Sequence, residues 1–300
     1  MTSRAALLCG LAALVLAAGG CGSATHDDGA ERLDRLVDFT KQPPYVYALE
    51  IDTAAGEFLL TTNRGFFRIG QQSGRVRRVR ARIRAGAKRA TVGTFLELAV
   101  ERPGRLIGSG HPDQAGALPA FLGFIRSDDG GRTWRVVSRL GDADLHKIVL
   151  KHGRMYAFDA VLSALLVSSD GGRTFTEQFT PRGLIIDFEV DPADPARIVA
   201  STDDQLFRSL DSGESWRPID RRPGIRLVWP APDRLLRALK DGAVETSADG
   251  GETWKAVGRV DGEPYKFKAV SRDELYLALS DGTIMRTADG AKTWKVAFAP

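Results

Sequence analysis

A pattern of eight residues recurs five times at nearly constant spacing, and this repeat constrains the fold more than any other feature of the chain. The copies occupy residues 127–134, 168–175, 209–216, 247–254 and 287–294, so that successive copies begin 41, 41, 38 and 40 residues apart. Each octet reads Ser/Thr-x-Asp-x-Gly-x-Thr/Ser-aromatic, with one departure where Ala291 replaces the glycine. A fixed period of about 40 residues indicates a repeat architecture in which each copy supplies one supersecondary unit.

The residue types of the octet are those of a hairpin turn. Its aspartate can accept hydrogen bonds from the backbone N–H groups that follow, its glycine permits a positive φ, and its aromatic residue begins the next strand and packs between sheets. We therefore interpret the octets as structural turns, formed by Asp129, Asp170, Asp211, Asp249 and Asp289 with Trp134, Phe175, Trp216, Trp254 and Trp294. Because the five carboxylates belong to separate turns, whereas calcium needs several oxygens in one place, no metal and no cofactor are predicted.

Short strand-like runs precede each octet. Before the copy at 209–216 they are Ile185–Val190, Arg197–Ala200 and Gln205–Arg208, and the segment after the octet supplies a fourth strand. Four antiparallel strands per repeat are the pattern of a propeller blade. The sequence therefore predicts an all-β fold, a β-propeller.

The predicted number of four-stranded blades is six. Five blades carry an octet, and a first blade begins near residue 44 with a decayed octet in which Gln71 replaces the aspartate. A seventh blade within residues 77–94 is the alternative, although 18 residues are short for four strands. A strand from residues 33–42 is a further candidate, because propellers often close by completing one blade with the other terminus.

The N-terminal segment has the features of an export signal. Arg4 precedes Ala5–Ala18, an uncharged apolar run of 14 residues, which is shorter than the roughly 20 residues of a membrane span and typical of a signal peptide. The small residues before Cys21 resemble the bacterial lipobox, which implies that Cys21 carries a lipid; a plain secretory signal is the alternative. The predicted organisation is a signal peptide over 1–20, a lipidated tether over 21–42 and a propeller over 43–300.

The octets resemble the Asp-box, or BNR, repeat of sialidase-like β-propellers, over roughly residues 44–300. The chain is similar to exported bacterial Asp-box lipoproteins labelled glycosyl hydrolase, and more distantly to photosystem II assembly-factor propellers. This resemblance implies either a binding or assembly role at the cell envelope or, as the alternative, an exo-acting, sialidase-like glycoside hydrolase at the cell surface.

The sialidase motif is matched in part by Phe67-Arg68-Ile69-Gly70. However, the same hydrophobic-Arg pair recurs before the octets, at Arg126, Arg208 and Arg286, so we interpret Arg68 as a blade-edge residue. A glycosidase also needs two carboxylates at a set separation. The candidates on predicted inner strands are Glu50, Glu97, Asp187 and Glu189. We therefore favour a binding role over catalysis.

Two irregular segments carry the candidate binding residues. His111 and Asp113 lie in an insertion of the second blade, and Asp144 and His146 lie in the loop that enters the third. Because adjacent blades bring these segments within reach of each other, the four residues form a candidate ligand site, with ordinary loop hydrogen bonding as the alternative.

A basic stripe occupies residues 75–89, which hold eight basic residues and no acid. Within it Arg78, Arg80, Arg82 and Arg84 alternate with smaller residues, so that in one strand they would share a face. The stripe favours phosphate-rich envelope partners or a protein partner; a solvated edge strand kept from aggregating by its charge is the alternative.

Together these features predict an exported, lipid-anchored protein on the extracytoplasmic face of the membrane. Its predicted partners are the membrane, through the N-terminal lipid, and an envelope glycan or protein, while nucleic acid is excluded by export. A balance of 43% hydrophobic and 27% charged residues is that of a globular protein, which we expect to be a monomer.

Overall fold

A computed structural model describes residues 45–113, 117–222 and 226–300. The predicted signal peptide, the tether with Cys21 and the segment 33–42 lie outside the described residues. Every regular element in the described ranges is a β-strand, and they contain no helix that is long and apolar enough to cross a membrane.

Twenty-five strands form six sheets in chain order. The first sheet contains β1 (Val46–Asp52), β2 (Glu57–Thr62), β3 (Gly65–Gly70) and β4 (Val76–Val79). The second contains β5 (Arg82–Ala85), β6 (Lys88–Arg102), β7 (Arg105–Pro112), β8 (Phe124–Ser127) and β9 (Thr133–Ser138). The third contains β10 (Leu145–Lys151), β11 (Arg154–Asp159), β12 (Ala164–Ser168) and β13 (Thr176–Gln178). The fourth contains β14 (Ile185–Val190), β15 (Ile198–Thr202), β16 (Leu206–Ser209) and β17 (Arg217–Asp220). The fifth contains β18 (Arg226–Ala231), β19 (Arg234–Ala238), β20 (Ala243–Ser247) and β21 (Lys255–Arg259), and the sixth β22 (Pro264–Ala269), β23 (Leu275–Leu279), β24 (Ile284–Thr287) and β25 (Lys295–Phe298).

The six sheets close into a ring. The first strand of each blade, counting β6 for the second, contacts the equivalent strand of the next blade, and β22 contacts β1. These six strands therefore line a central channel, and the predicted all-β propeller is confirmed. Five of the sheets are four-stranded antiparallel blades, as the repeat predicts.

The second blade departs from the prediction because it is a five-stranded closed barrel. Its inner strand β6 is 15 residues long. The preceding strand β5 pairs with β6 in an antiparallel arrangement and with the outer strand β9 in a parallel one, which closes the barrel. Ile83, Phe95 and Trp134 fill the space between these strands and are at most 2% exposed. Residues 77–94 are thus divided between the outer strand of blade one and this insertion, and they do not form a seventh blade.

Within the described residues, blades one and six are each built from consecutive strands, and neither receives a strand from the other. Side chains alone join them in the described residues. The rings of Phe58 and Tyr276 meet edge to face at a centroid distance of 5.5 Å, and Lys268 forms an ion pair with Glu50.

Each octet forms the turn between the third and fourth strands of its blade. In the first copy Asp129 Oδ1 accepts hydrogen bonds from the N–H groups of Arg132 and Thr133 at 3.1 and 2.8 Å, and Oδ2 accepts one from the Thr133 hydroxyl at 2.6 Å. The equivalent bonds to the Ser215 hydroxyl and N–H lower the pKa of Asp211 to about 2. In the last copy Ala291 adopts the glycine's positive φ, at 74°, which costs an L-residue about 1–2 kcal/mol.

Candidate functional site

Two layers of side chains from the inner strands face the channel. The strand registers place six equivalent residues at one level and six at the next. The first level lies near the N-terminal end of each inner strand except the longer β6, where it lies past the middle. The upper layer is Ala48, Glu97, Lys147, Asp187, Arg226 and Lys266. The lower layer is Glu50, Ala99, Val149, Glu189, Val228 and Lys268, and all of its members line a cavity of about 330 Å³.

Lysines neutralise three of the four candidate carboxylates. Lys147 Nζ lies 2.7 Å from Asp187 Oδ1 and 3.6 Å from Glu189 Oε1. Lys151 Nζ donates to Glu189 Oε2 at 3.0 Å, and Lys268 pairs with Glu50. Burial opposes ionisation of Asp187, but Lys147 holds the pKa of this carboxyl below its usual value. The sequence placed these carboxylates on the correct strands, but it did not reveal their lysine partners.

Glu97 differs from the other three carboxylates. Its side chain is 1% exposed, and Oε1 accepts a hydrogen bond from the N–H of Leu98 at 3.0 Å. Among the described residues it forms no ion pair. Burying a carboxylate in its charged form costs free energy unless a cation lies nearby. Glu97 has a backbone hydrogen bond but no cation in direct contact.

Arg68 lies far from the channel, on β3, where it contacts Glu57, Asp52 and the next octet. Its Nη1 donates to Gly130 O at 2.8 Å, and its other nitrogens contact Glu57 at 2.5 Å and Asp52 at 3.1 Å. Arg126 and Arg208 donate in the same way to Gly171 O at 2.9 Å and Asp249 O at 3.5 Å. Arg68, Arg126 and Arg208 therefore hold blades one, two and four to the octet of the next blade, whereas Arg286 pairs with Glu274 and Tyr276 of its own blade. None of the four is placed to bind a substrate in the hub.

A tyrosine–glutamate pair is present, but it is also remote from the channel. Tyr276 Oη donates to Glu274 Oε1 at 2.7 Å, and Arg286 Nε donates to Tyr276 Oη at 3.0 Å. Burial raises the pKa of Tyr276, whereas a nucleophilic tyrosine needs a lowered one. Arg68 takes no part in this cluster.

Three of the four residues in the predicted ligand site come together. His146 Nε2 lies 3.0 Å from Asp144 Oδ2, and His111 Nε2 lies 3.7 Å from Asp144 Oδ1. His111 also contacts Ala120 O of its own insertion through Nδ1 at 2.8 Å. Its contact with Asp144 joins the insertion of blade two to the entry of blade three. No group of three or more metal-ligating side chains occurs in the part of the chain that the structure describes.

Asp113, the fourth residue, lies apart from the histidines and next to the arginines of the insertion. With Arg80, Arg82, Arg84 and Arg89 it lines an open groove of about 590 Å³. The four alternating arginines do not lie on one strand: Arg78 lies on β4 of blade one, Arg80 precedes the buried Ala81, and Arg82 and Arg84 lie on β5 of blade two. All four are nevertheless exposed.

Three arginines lie side by side on the outer face of the second blade. Arg84 pairs with Arg89 on β6 and with Arg135 on β9. We call Arg80, Arg82, Arg84, Arg89 and Arg135 the arginine surface. Within the described ranges the first four form no ion pair, and Arg135 has only a 4.0 Å contact with Asp128. Like charges directly opposite each other destabilise a sheet, so this row has an energetic cost, and the contact between Arg135 and Asp128 is its one ion pair among the described residues.

These features define an Asp-box β-propeller with a charged hub and one modified blade. No protein-family model matches the chain. The chain is 32% identical to the dispase autolysis-inducing protein of Streptomyces mobaraensis over 98 residues. The matched segment is 32% of this chain and 25% of that protein. Among solved structures the chain is similar to YCF48 bound to D1 peptide, with a TM-score of 0.57, 13% identity, and coverage of 82% of this chain and 94% of that one. It is also similar to the GH74 xyloglucanase from Xanthomonas campestris, with a TM-score of 0.54, 18% identity, and coverage of 84% and 38%. At these identities the structural likeness shows the fold alone.

Proposed function

We propose that the protein is an exported, lipid-anchored propeller that binds an acidic protein segment at the cell envelope, in a binding or assembly role. The observation that carries this proposal is the row of Arg89, Arg84 and Arg135, in which Arg84 and Arg89 form no ion pair among the described residues and Arg135 has only its 4.0 Å contact with Asp128. Planar guanidinium groups bind carboxylates through paired hydrogen bonds. The likeness to a propeller whose structure contains a peptide, YCF48 bound to D1 peptide, supports a peptide as the ligand.

The position of the arginine surface also supports docking by a chain segment. Strand β5 is paired on both edges, with β6 and β9, so a partner cannot add as another strand there. Recognition must therefore occur through side chains in the open groove, which is long enough to expose Arg80, Arg82, Arg84 and Arg89 together.

The glycoside hydrolase alternative has less support. The fold is similar to a GH74 xyloglucanase, and the hub contains carboxylates. However, Glu50, Asp187 and Glu189 are each in contact with a lysine, whereas acid–base catalysis requires one protonated and one free carboxyl flanking the substrate.

The binding proposal predicts that Arg84→Gln/Arg89→Gln weakens binding of a polyglutamate peptide by at least about tenfold, since charge-assisted hydrogen bonds contribute about 1.5–3 kcal/mol each. Isothermal titration calorimetry at fixed salt measures the change. The control is Arg182→Gln/Lys255→Gln, which removes the same charge from exposed positions outside the second blade and should leave the affinity nearly unchanged.

Equal losses of peptide affinity in the two double variants would show that binding depends only on the net charge of the protein. That result would contradict the proposal. Binding to vesicles of anionic lipid that is stronger than to the peptide, and lost in Arg84→Gln/Arg89→Gln, would assign the surface to the membrane instead and also overturn it.

Anchoring by Cys21 has its own test. Because Cys21 would be the only cysteine left after signal cleavage, the Cys21→Ser variant should move from the membrane fraction to the soluble extracytoplasmic fraction when expressed in a bacterium that processes lipoproteins. Ser23→Ala is the matched control for a change in the same segment. Retention of Cys21→Ser in the membrane fraction would show that the lipid is not the anchor.

A further inference from the structure

The upper layer of the hub carries more positive than negative charge. It holds two acids, Glu97 and Asp187, and three bases, Lys147, Arg226 and Lys266. The Lys147–Asp187 contact at 2.7 Å accounts for one base and one acid. Arg226 donates to Ile186 O at 3.0 Å and stacks on the ring of Tyr265 at 5.0 Å. Lys266 is left as a cation without an ion-pair partner among the described residues.

Lys266 faces the centre of the ring. It lies two residues before Lys268 on the same face of β22, and Lys268 reaches across to Glu50 of blade one. The groups that act on the Lys266 charge come from four other blades: Glu97 on β6, Lys147 on β10, Asp187 on β14 and Arg226 on β18. Lys266 occupies the position on β22 that Lys147 occupies on β10, where the side chain reaches the neighbouring inner strand, and this register places it in the layer that faces the channel.

An aromatic rim lies at the N-terminal ends of two inner strands beside this layer. The ring of Tyr45 lies 5.0 Å from that of Tyr47 and 5.0 Å from that of Tyr265. Tyr265 directly precedes Lys266, and Tyr45 is 53% exposed. The rim therefore offers apolar ring surface to a ligand at the channel mouth, beside the guanidinium group of Arg226.

We propose that the upper mouth of the channel is a binding site for a small ring-bearing carboxylate, with Lys266 and Arg226 receiving the carboxylate and Tyr45, Tyr47 and Tyr265 contacting the ring. A carboxylate there supplies the negative charge that the upper layer lacks. It also gives Lys266 a hydrogen-bonded partner, which stabilises a partly buried ammonium group. The site is separate from the arginine surface and does not depend on the proposed function.

The charge of Lys266 makes this site sensitive to pH. Burial, helped by repulsion from Arg226 and Lys147 and opposed by Glu97, lowers the pKa of Lys266 to about 8. The empty site therefore loses its cation as the pH rises through about 8. A bound carboxylate stabilises the ammonium form, so affinity should fall about tenfold between about pH 7 and about pH 9.

Benzoate is a suitable probe, and benzamide is its neutral counterpart of the same shape. Wild-type protein should bind benzoate saturably in calorimetry and bind benzamide at least about tenfold more weakly. Lys266→Gln should lose benzoate binding by a similar factor. Lys266→Arg should bind at about pH 7 and keep its affinity at about pH 9, because arginine remains charged. The Arg84→Gln/Arg89→Gln variant should bind benzoate as wild type does, which separates this site from the proposed function.

Competitive acetylation of the wild-type protein provides a second readout that does not depend on the folding of a variant. Benzoate, but not benzamide, should slow the modification of Lys266 when the products are mapped by mass spectrometry. The proposal is overturned if wild type shows no saturable benzoate binding, if Lys266→Gln binds as wild type does, or if benzamide protects Lys266 as well as benzoate.

Discussion

Replacing Arg237 by alanine should lower the free energy of unfolding by about 3–5 kcal/mol, the cost of removing one partner from a buried ion pair. The Arg237 side chain is 0% exposed. Its Nη1 contacts Asp220 Oδ2 at 2.7 Å, its Nε donates to Glu245 Oε2 at 2.6 Å, and its guanidinium stacks on Trp254 at 4.0 Å. The change would leave two partly buried carboxylates facing each other across blades four and five.

Arg222→Ala is the matched control for this prediction, because Arg222 contacts the same two carboxylates from outside. Its side chain is 45% exposed, and exposed ion pairs contribute about 1 kcal/mol or less. Urea unfolding followed by tryptophan fluorescence measures both variants. Similar losses in the two would show that burial of Arg237 is not what gives this cluster its strength.

Replacing Trp134 by alanine should cost about 3–5 kcal/mol of unfolding free energy, as expected for truncating a large buried aromatic side chain. Trp134 is 2% exposed and lies in the closed barrel, with its ring 4.9 Å from that of Phe95. Its Nε1 donates to Gly131 O at 2.8 Å. The alanine variant would leave a cavity where the octet, β5 and β6 meet.

The equivalent octet residue Trp216 provides the comparison, since it is only partly buried and its Nε1 donates to Phe179 O at 3.0 Å. Trp216→Ala should cost less than half as much as Trp134→Ala in the same denaturation experiment. If the order of the two losses were reversed, the closed barrel would not be the better packed of the two blades.

The repeat predicted the blades well because its information is local. The strands expected before the third octet, at 185–190, 197–200 and 205–208, begin and end within two residues of β14, β15 and β16. A turn that recurs with the same hydrogen bonds fixes the hairpin on either side of it. Strand assignment in these blades therefore needed no knowledge of distant contacts.

The second blade was harder to predict because its decisive contact is not local. Arg78 to Arg84 do alternate outward and inward, yet they belong to two sheets. Successive side chains of an extended segment point to opposite sides even where the segment passes from one blade to the next. The alternation alone therefore does not show where β4 ends and β5 begins. The parallel pairing of Arg84 with Arg135 joins segments about 50 residues apart. Neither segment has a sequence pattern that indicates this pairing, so it could not be predicted from either one.

The hub shows the same division between local and distant information. The sequence placed Glu50, Asp187 and Glu189 on inner strands, and the structure has them there. Their lysine partners depend on which strand lies next in the ring and on its register, and neither is visible in one repeat. The meeting of His111, Asp144 and His146 could be anticipated because their blades are consecutive.

In the part of the chain that the structure describes, side chains alone join blades one and six, and this joint also affects how the protein folds. Each neighbouring pair of blades is joined by a short connection, so those contacts form at a small cost in loop entropy. Phe58 and Tyr276 are separated by nearly the whole length of the propeller and meet only when all the intervening blades are in place. Such long-range contacts form slowly. We therefore expect the joint between blades one and six to form last during folding, and the stack of blades before that step to be an open arc with both end faces exposed.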